Sequence, residues 1–415
     1  MAAKLTHDEE TAPLEDEPSP RWAYATKSMS AHTKLRRMGS RMRYTDKRRG
    51  IDKIISFDPN GMLGWSSMFR YTGTVFEIAM VRVMLVSTIV LGFVVFAITT
   101  RLPFASDPDF NTDHLSLLVK FMMTFLAFMV SIFVNGAFSR WVTITGQLSS
   151  LLQLVKMIYV DLVMHNVPRA AINDIRRWGV ASVWLTAEEA PSSWTQPQWP
   201  EVLLELQTAG LLNEEEKEML LARPGDKSPL MWVWITMKLR ELSENQFVPA
   251  RATPALTRML DHCHMAMSAI SHIFNSILLQ IPHQYMHMLA FLINLLNIVN
   301  TVKCGIELGS LYSKSTDTFG HFLTAMEIQA IVEHLGIMLF CPLVYQSFLC
   351  ISVDIMIPFG DGSTDIPIHY LLNNLMSELS DFDDSVRARV AGSESPSAIT
   401  RTLSKGTASE RCDIA

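Results

Sequence analysis

The chain has no Walker A loop, no G-x-S-x-G elbow and no G-x-G-x-x-G turn. Their absence removes the usual phosphate cradle, hydrolase nucleophile and dinucleotide site, and leaves an enzyme reading with little support. Its five cysteines (Cys263, Cys304, Cys341, Cys350 and Cys412) are odd in number, widely spaced and form no C-x-x-C pair. That pattern excludes a disulfide framework. The opening stretch, MAAKLTHDEETAPLEDEPSP, is acidic and has no apolar centre. It reads as neither a signal peptide nor a transit peptide, so insertion is expected through the first internal span. Charge is scarce too: Asp, Glu, Lys and Arg make up 18% of the residues, unevenly placed.

What fills the space is apolar. Hydrophobic residues account for 49% of the chain, a membrane-protein composition at this length. The stretch 121–139, FMMTFLAFMVSIFVNGAFS, sits between Lys120 and Arg140 and is long enough to cross a bilayer as a helix. At about 100° per residue, Thr124, Ser131, Asn135 and Ser139 gather within about 80° of one another, with Phe121 and Phe128 on the same arc. Two readings follow from these residues. One is a helix–helix interface glued by small and polar side chains. The other is the wall of a pore with a ring-lined constriction.

Four spans are expected, at about 72–101, 113–140, 265–302 and 328–354, with amphipathic helices of a cytosolic layer over 141–260. The fold class is therefore an all-α, polytopic membrane protein. Residues 1–57 form an acidic and then basic N-terminal segment, partly disordered; 58–384 form the channel-like domain; 385–415 read as a disordered tail. Residues 21–53 carry eleven Lys or Arg against two Asp. A basic block before a first span places the N-terminus on the cytoplasmic side or its equivalent, and an even number of spans returns the C-terminus there. The same block would attract anionic membrane lipids, and the nearby span outweighs a nucleic-acid partner. Arg82, near the start of the first span, reads as a snorkelling side chain. Within 265–302, Pro282 removes a backbone donor and predicts a break near 280–282. Gly210 fits a helix C-cap ahead of a new start at Asn213.

Several segments, taken together, resemble the bestrophin family of anion channels. LAFMVSIFVNGAFSRW (126–141) is similar to its second transmembrane helix, through Asn135, Ala137, Phe138, Arg140 and Trp141. IPHQY (281–285) stands where that family has an I-P-L-x-Y helix break, and IPFGDGSTDIPI (357–368) resembles its N-P-F-G segment with an acidic loop. FRYTG (69–73), LQTAGLLNEEEKEML and PLMWVW follow the family's order, so the resemblance covers about 58–378. It implies a homopentamer around one pore lined by the second helix, passing chloride and other monovalent anions, and open to calcium gating.

Carried over by L-x-F, the family's hydrophobic neck falls on Lys120, Thr124 and Phe128; only Phe128 keeps the apolar character, with Phe121 or Phe125 as the alternative register. A less apolar neck gates less tightly by dewetting. The second constriction maps to Ile281, which otherwise reads as an ordinary buried isoleucine beside the kink. The family's Ca²⁺ clasp has lost its first oxygen to Ile357 and a carboxylate to Gly362, leaving Asp354, Asp361, Ser363 and Asp365 as a weak clasp. The rival for that loop is a turn with Asp365 or Thr364 capping the next helix.

Other readings were weighed on the same residues. His262, Cys263, His264, His272, His283 and His287 cluster in sequence, and His283 and His287 have a usable metal-ligand spacing, but no second ligand set joins them. A secondary anion transporter would call for internal repeats and ionisable groups at mid-membrane. A non-conducting scaffold of bestrophin origin is the third class.

Overall fold

In the computed structural model the described residues are 36–38, 41–46, 51–57, 74–101, 112–165, 167–190, 198–245, 253–279, 281–317, 325–356, 358–360 and 365–393. After residue 74 their regular structure is helical. Ahead of it, β1 (Arg36–Met38), β2 (Arg41–Asp46) and β3 (Ile51–Phe57) make an antiparallel sheet in that order. The sequence reading placed no strands in this basic segment. Its signal lay in the isoleucines and phenylalanine of IDKIISF, which favour a strand.

The helices are α1 (Ala79–Thr99), α2 (Asp113–Met164), α3 (Arg169–Glu189), α4 (Trp199–Thr208), α5 (Glu214–Ala222), α6 (Ser228–Glu244), α7 (Thr253–Leu278), α8 (His283–Asp317), α9 (Ala325–Met356) and α10 (Ile368–Ser393). Four of them are long and apolar enough to cross a membrane: Ala79–Thr99, Asp113–Met164, His283–Ser313 and Met326–Met356. The protein is a multi-pass integral membrane protein. The first helix starts later than the apolar pattern suggests. Val75–Glu77 form a short 3₁₀ turn and Ile78 is extended, so α-helical bonding begins at Ala79.

At 52 residues, α2 runs about 78 Å, far more than the roughly 30 Å of a bilayer core. Its first half is one of the spans. Its second half enters a water-side layer, where Ile144, Leu148, Leu151, Leu154, Ile158 and Leu162 pack with α3, α4, α6, α7 and α10. Trp184 of α3 and Trp232 of α6 are the largest fully buried side chains of that core.

The stretch 265–278, expected to open the third span, belongs to this layer instead. Met259, Cys263, Ala266, Ile270, Ile273 and Ile277 of α7 are buried in the layer's core at helical spacing, while His264, His272 and Asn275 are exposed. Formal charge is missing from 265–278 because His272, Ser268, Ser271 and Asn275 make up the polar face there. A charge-based reading therefore mistakes an amphipathic helix for a span. The helix stops at Leu278, and α8 starts after Pro282.

Caps close the layer's helices. Gly210 is left-handed (φ 73°) after α4, and the Leu211 N–H donates back to the Leu206 carbonyl. Glu216 of α5 accepts the Asn213 N–H at 2.7 Å, and its carboxylate also holds buried Arg177 and the Trp178 indole N–H.

Candidate functional site

The membrane half of α2 buries one side only. Val119, Leu126, Val130, Phe133 and Ala137 form its inner face, against Leu289, Ile293 and Leu296 of α8 and Cys341 of α9. These five fall within about 60° on the helix, at about 100° per residue. Diametrically opposite lie Thr124, Ser131, Asn135 and Ser139, all exposed, with Phe121 at 69% and Phe128 at 65% exposure. Lys120 and Phe125 are exposed as well. The polar-and-ring face foreseen on this helix is therefore not a contact among the described residues. Both neck registers, and the polar residues below them, share one open surface.

Two tyrosines hold α2 in this orientation. The Tyr285 hydroxyl of α8 donates to the Met129 carbonyl, and the Tyr345 hydroxyl of α9 donates to the Met123 carbonyl, each at 2.9 Å. These bonds reach α2 on its buried side and leave its outer side free. Arg140, at the end of the membrane stretch, donates through its guanidinium to the Ile277 carbonyl. That carbonyl lies in the last turn of α7, where unsatisfied backbone oxygens and the helix dipole both favour a cation. The arginine thus ties α2 to the break between α7 and α8. Ile281, in that break, is half-buried and lies beside α2 at Gly136, where an added Cβ would come 3.9 Å from the isoleucine Cδ1.

The hydroxyls on the open face are not equivalent. Thr124 donates its proton to the Lys120 carbonyl at 3.0 Å, one turn back. Asn135 and Ser131 are exposed and make no side-chain hydrogen bond among the described residues. A surface that offers N–H and O–H groups between phenylalanine rings can replace part of an anion's hydration without fixed positive charge.

Of the four candidate calcium ligands, Asp361 and Ser363 lie outside the described residues, as does Ile357. Asp354 stands near the end of α9 and Asp365 just before α10, close enough for each carboxylate to feel the other's charge. The Asp365 carboxylate also crowds Gly360, where a Cβ would lie 2.7 Å from its Oδ2. Two carboxylates and nearby carbonyls supply a fraction of the six to eight oxygens Ca²⁺ prefers. No group of three or more His, Cys, Asp or Glu that could hold a metal occurs among the described residues.

The histidine-rich stretch does not converge. His262 lies 3.8 Å from Asp161, whose carboxylate is held by Arg258, while His264 and His272 are exposed. Cys263 is fully buried and its thiol is pushed up to about 11 by burial, which keeps it protonated. His283 and His287 stack with ring centroids 6.2 Å apart.

The sequence reading missed an ionisable cluster in the spans. Glu307 of α8 pairs with Lys303 at 3.1 Å, lies 3.0 Å from His334 of α9, and accepts the Thr112 hydroxyl at 2.8 Å. The third span was taken to end at Val302, ahead of the first charge. The Lys303–Glu307 spacing of four residues, a helical ion-pair signature, could have carried the helix further.

The chain resembles known proteins at two levels. A family model described as "Bestrophin, RFP-TM, chloride channel" matches residues 61–382. Among solved structures, a membrane protein in crystal form aligns at a TM-score of 0.54 and 13% identity, covering 73% of this chain and 98% of its own. Point variants of a bacterial bestrophin homologue from Klebsiella pneumoniae align at a TM-score of 0.52, with 13% and 14% identity, covering 73% of this chain and 98% of theirs. No curated protein matches. With its second helix held on one side by α8 and α9, a break at Pro282, and a family model spanning most of its length, the chain belongs to the bestrophin family.

Proposed function

We propose that the protein is a homopentameric anion channel. Its pore is lined by the open face of α2, through which chloride and other monovalent anions pass down their gradient. The observation that carries this reading is the placement of Thr124, Ser131, Asn135, Phe121 and Phe128 on the side of α2 opposite its buried stripe. A polar face on a span gains nothing from lipid, and no helix among the described residues covers it. A shared axis lined by copies of this helix gives it water and anions. Phe121, Phe128 and Ile281 are the apolar points along the path, and Lys120 brings a cation to one mouth. The basic segment before α1 and an even number of spans support a reading in which both termini lie on the side of the helical layer.

Calcium, if it acts here, would be held by Asp354 and Asp365 with backbone carbonyls. Ile357 has no side-chain oxygen to add, so the affinity is expected to fall below that of a calcium sensor. A second reading, coupled anion transport, is favoured by one observation: Lys303, Glu307 and His334 lie inside candidate spans. Those groups neutralise one another and anchor Thr112, an arrangement that also serves as a structural tie.

Reconstitution of the full chain into planar bilayers separates the readings. Discrete unitary currents that reverse at the anion equilibrium potential support a channel. Flux that saturates and follows a second ion's gradient supports coupled transport. An electrically silent but assembled protein leaves only a scaffold.

A further inference from the structure

A buried amide inside the spans is accounted for by neither the open face of α2 nor the ion pairs. On α8, Asn297, Asn300 and Thr301 are all buried. Thr301 donates its hydroxyl proton to the Asn297 carbonyl at 2.6 Å, and the Asn300 amide donates to the Ile337 carbonyl of α9 at 3.3 Å. Asn297 is 2% exposed, yet neither its side-chain oxygen nor its side-chain nitrogen has a hydrogen-bond partner among the described residues. Buried polar groups are nearly always paired, so this one calls for an explanation.

The packing register fixes what stands at its level. A Cβ on Gly92 of α1 would lie 2.6 Å from the Met338 sulfur of α9 and 3.6 Å from Cγ2 of Thr301. Gly305 and Gly309 of α8 meet Val95 and Thr99, so α1 and α8 run in the same direction. One turn back from Gly92 and Thr301 stand Thr88 and Asn297. Thr88 is buried and donates its proton to the Met84 carbonyl, so its oxygen keeps lone pairs with which to accept. The α9 helix runs the other way, since Asn300 meets Ile337 and Glu307 meets His334. The level of Asn297 therefore falls just past Met338, at Cys341 and Pro342. Pro342 lies inside α9 and has no N–H, so the Met338 carbonyl, aimed along the helix towards this level, loses its intrahelical donor.

We propose that Asn297 anchors an internal water site between α1, α8 and α9. The amide offers donors and an acceptor at once. A cation would take its oxygen and leave the N–H groups unmet, and an anion would do the reverse. Water serves both: it accepts from the Asn297 amide and donates to the Met338 carbonyl, to Thr88 or to the amide oxygen. Internal waters bind where roughly two to four such partners converge. Ordered water is also one of the means by which a membrane helix re-satisfies a carbonyl set free by proline. The site lies one turn before Tyr345, whose hydroxyl holds α2 at Met123, so the water sits at the joint through which α9 positions α2. The proposal goes beyond anion conduction and does not rest on it.

The test is anaerobic X-ray footprinting of the full-length protein in lipid nanodiscs, where radiolysis turns water into hydroxyl radicals in place and mass spectrometry locates the oxidised side chains. Met338 and Cys341 are the oxidisable residues at the site, and both are buried. Met259 and Cys263, buried in the apolar core of the helical layer, are the dry controls. Oxidation at Met338 and Cys341 should run at least fivefold faster than at these controls. After rapid mixing into heavy-oxygen water, the adducts at the site should take up the heavy isotope more slowly than those at Met157, which is exposed on α2. Both measurements use the wild-type protein and stand whether or not a variant folds. Asn297→Leu should lower the rates at Met338 and Cys341 to those of the controls and leave Met157 unchanged. Wild-type rates no higher than the controls would show a dry amide and overturn the site. Isotope uptake as fast as at Met157 would mean bulk solvent rather than a held water, and would overturn it equally. Unchanged labelling in Asn297→Leu would remove Asn297 as the anchor.

Discussion

At the scale of single residues, the open face of α2 ranks its own members. The Thr124 hydroxyl already donates a hydrogen bond to a backbone carbonyl, whereas the Asn135 amide makes none among the described residues. A hydrogen bond to a charged group is worth roughly 1.5–3 kcal/mol, so losing the donor matters more where it is free. Asn135→Ala is expected to change the chloride-to-nitrate permeability ratio, from bi-ionic reversal potentials, by about threefold or more. Thr124→Val is expected to change it by less than twofold. Equal effects, or none, would mean that Asn135 does not meet the anion.

Glu189 makes a different argument at the same scale. Buried at the end of α3, its carboxylate accepts the Ser228 N–H at 3.1 Å and the Lys227 N–H, and so caps α6 from another helix. Burial pushes this carboxyl above its ordinary range, partly opposed by those hydrogen bonds. A carboxyl raised on folding contributes stability that is fully present below its unfolded value and is lost as pH rises through its folded one. Glu189→Gln should therefore flatten the pH dependence of thermal unfolding just above the usual carboxylate range. Glu189→Ala should cost about 1–3 kcal/mol, because two buried donors lose their acceptor. Thermal-shift curves across pH measure both.

Among elements, the packing of α1 on α8 depends on glycine. A Cβ on Gly305 would meet Val95 at 2.9 Å, and one on Gly309 would meet Thr99 at 2.7 Å. The two glycines are four residues apart and let the helices approach as small-x-x-x-small pairs do in membranes. Gly309→Leu is expected to force α1 away and to destabilise the bundle by roughly 1–3 kcal/mol, as overpacked contacts do. Alanine at Gly336, which has nothing within 4 Å of its Cβ position, should be silent. Size-exclusion profiles after graded heating compare the two.

This level is also where the sequence was least readable. Helix periodicity marked α2 and its two faces, and Pro282 marked the break, because both are local properties. The Tyr285 and Tyr345 ties, the Arg140 cap on α7 and the Glu189 cap on α6 join residues far apart in the chain and carry no local pattern. The misassigned start of the third span has a similar origin: beyond residue 264, α7 makes a polar face without formal charge.

For the whole molecule, the question is what covers the open face of α2. Phe121, Phe128, Ile132 and Phe138 expose large apolar surfaces there, next to Ser131 and Asn135. Lipid would suit the rings and not the amide; a neighbouring helix of the same kind, around an axis, suits both. If five copies meet at a neck, the residue at 128 in one subunit lies near its equivalents in the next two. In that arrangement exposed residues of α1, such as Val90 at 57% exposure, would lie at the rim. Cysteine placed at each position, with Cys350 and Cys412 replaced by serine, distinguishes the arrangements, since the remaining Cys263, Cys304 and Cys341 are buried and should contribute little background. Under mild oxidation in membranes, Phe128→Cys is expected to give covalent dimers rapidly, and Val90→Cys is not. A non-oxidising chemical cross-linker should produce a ladder ending at five subunits. Dimers that form equally from both variants would indicate random collision. A Phe128→Cys protein that stays monomeric under oxidation while the ladder persists would keep the assembly but remove α2 from its axis, and with it the channel wall proposed here.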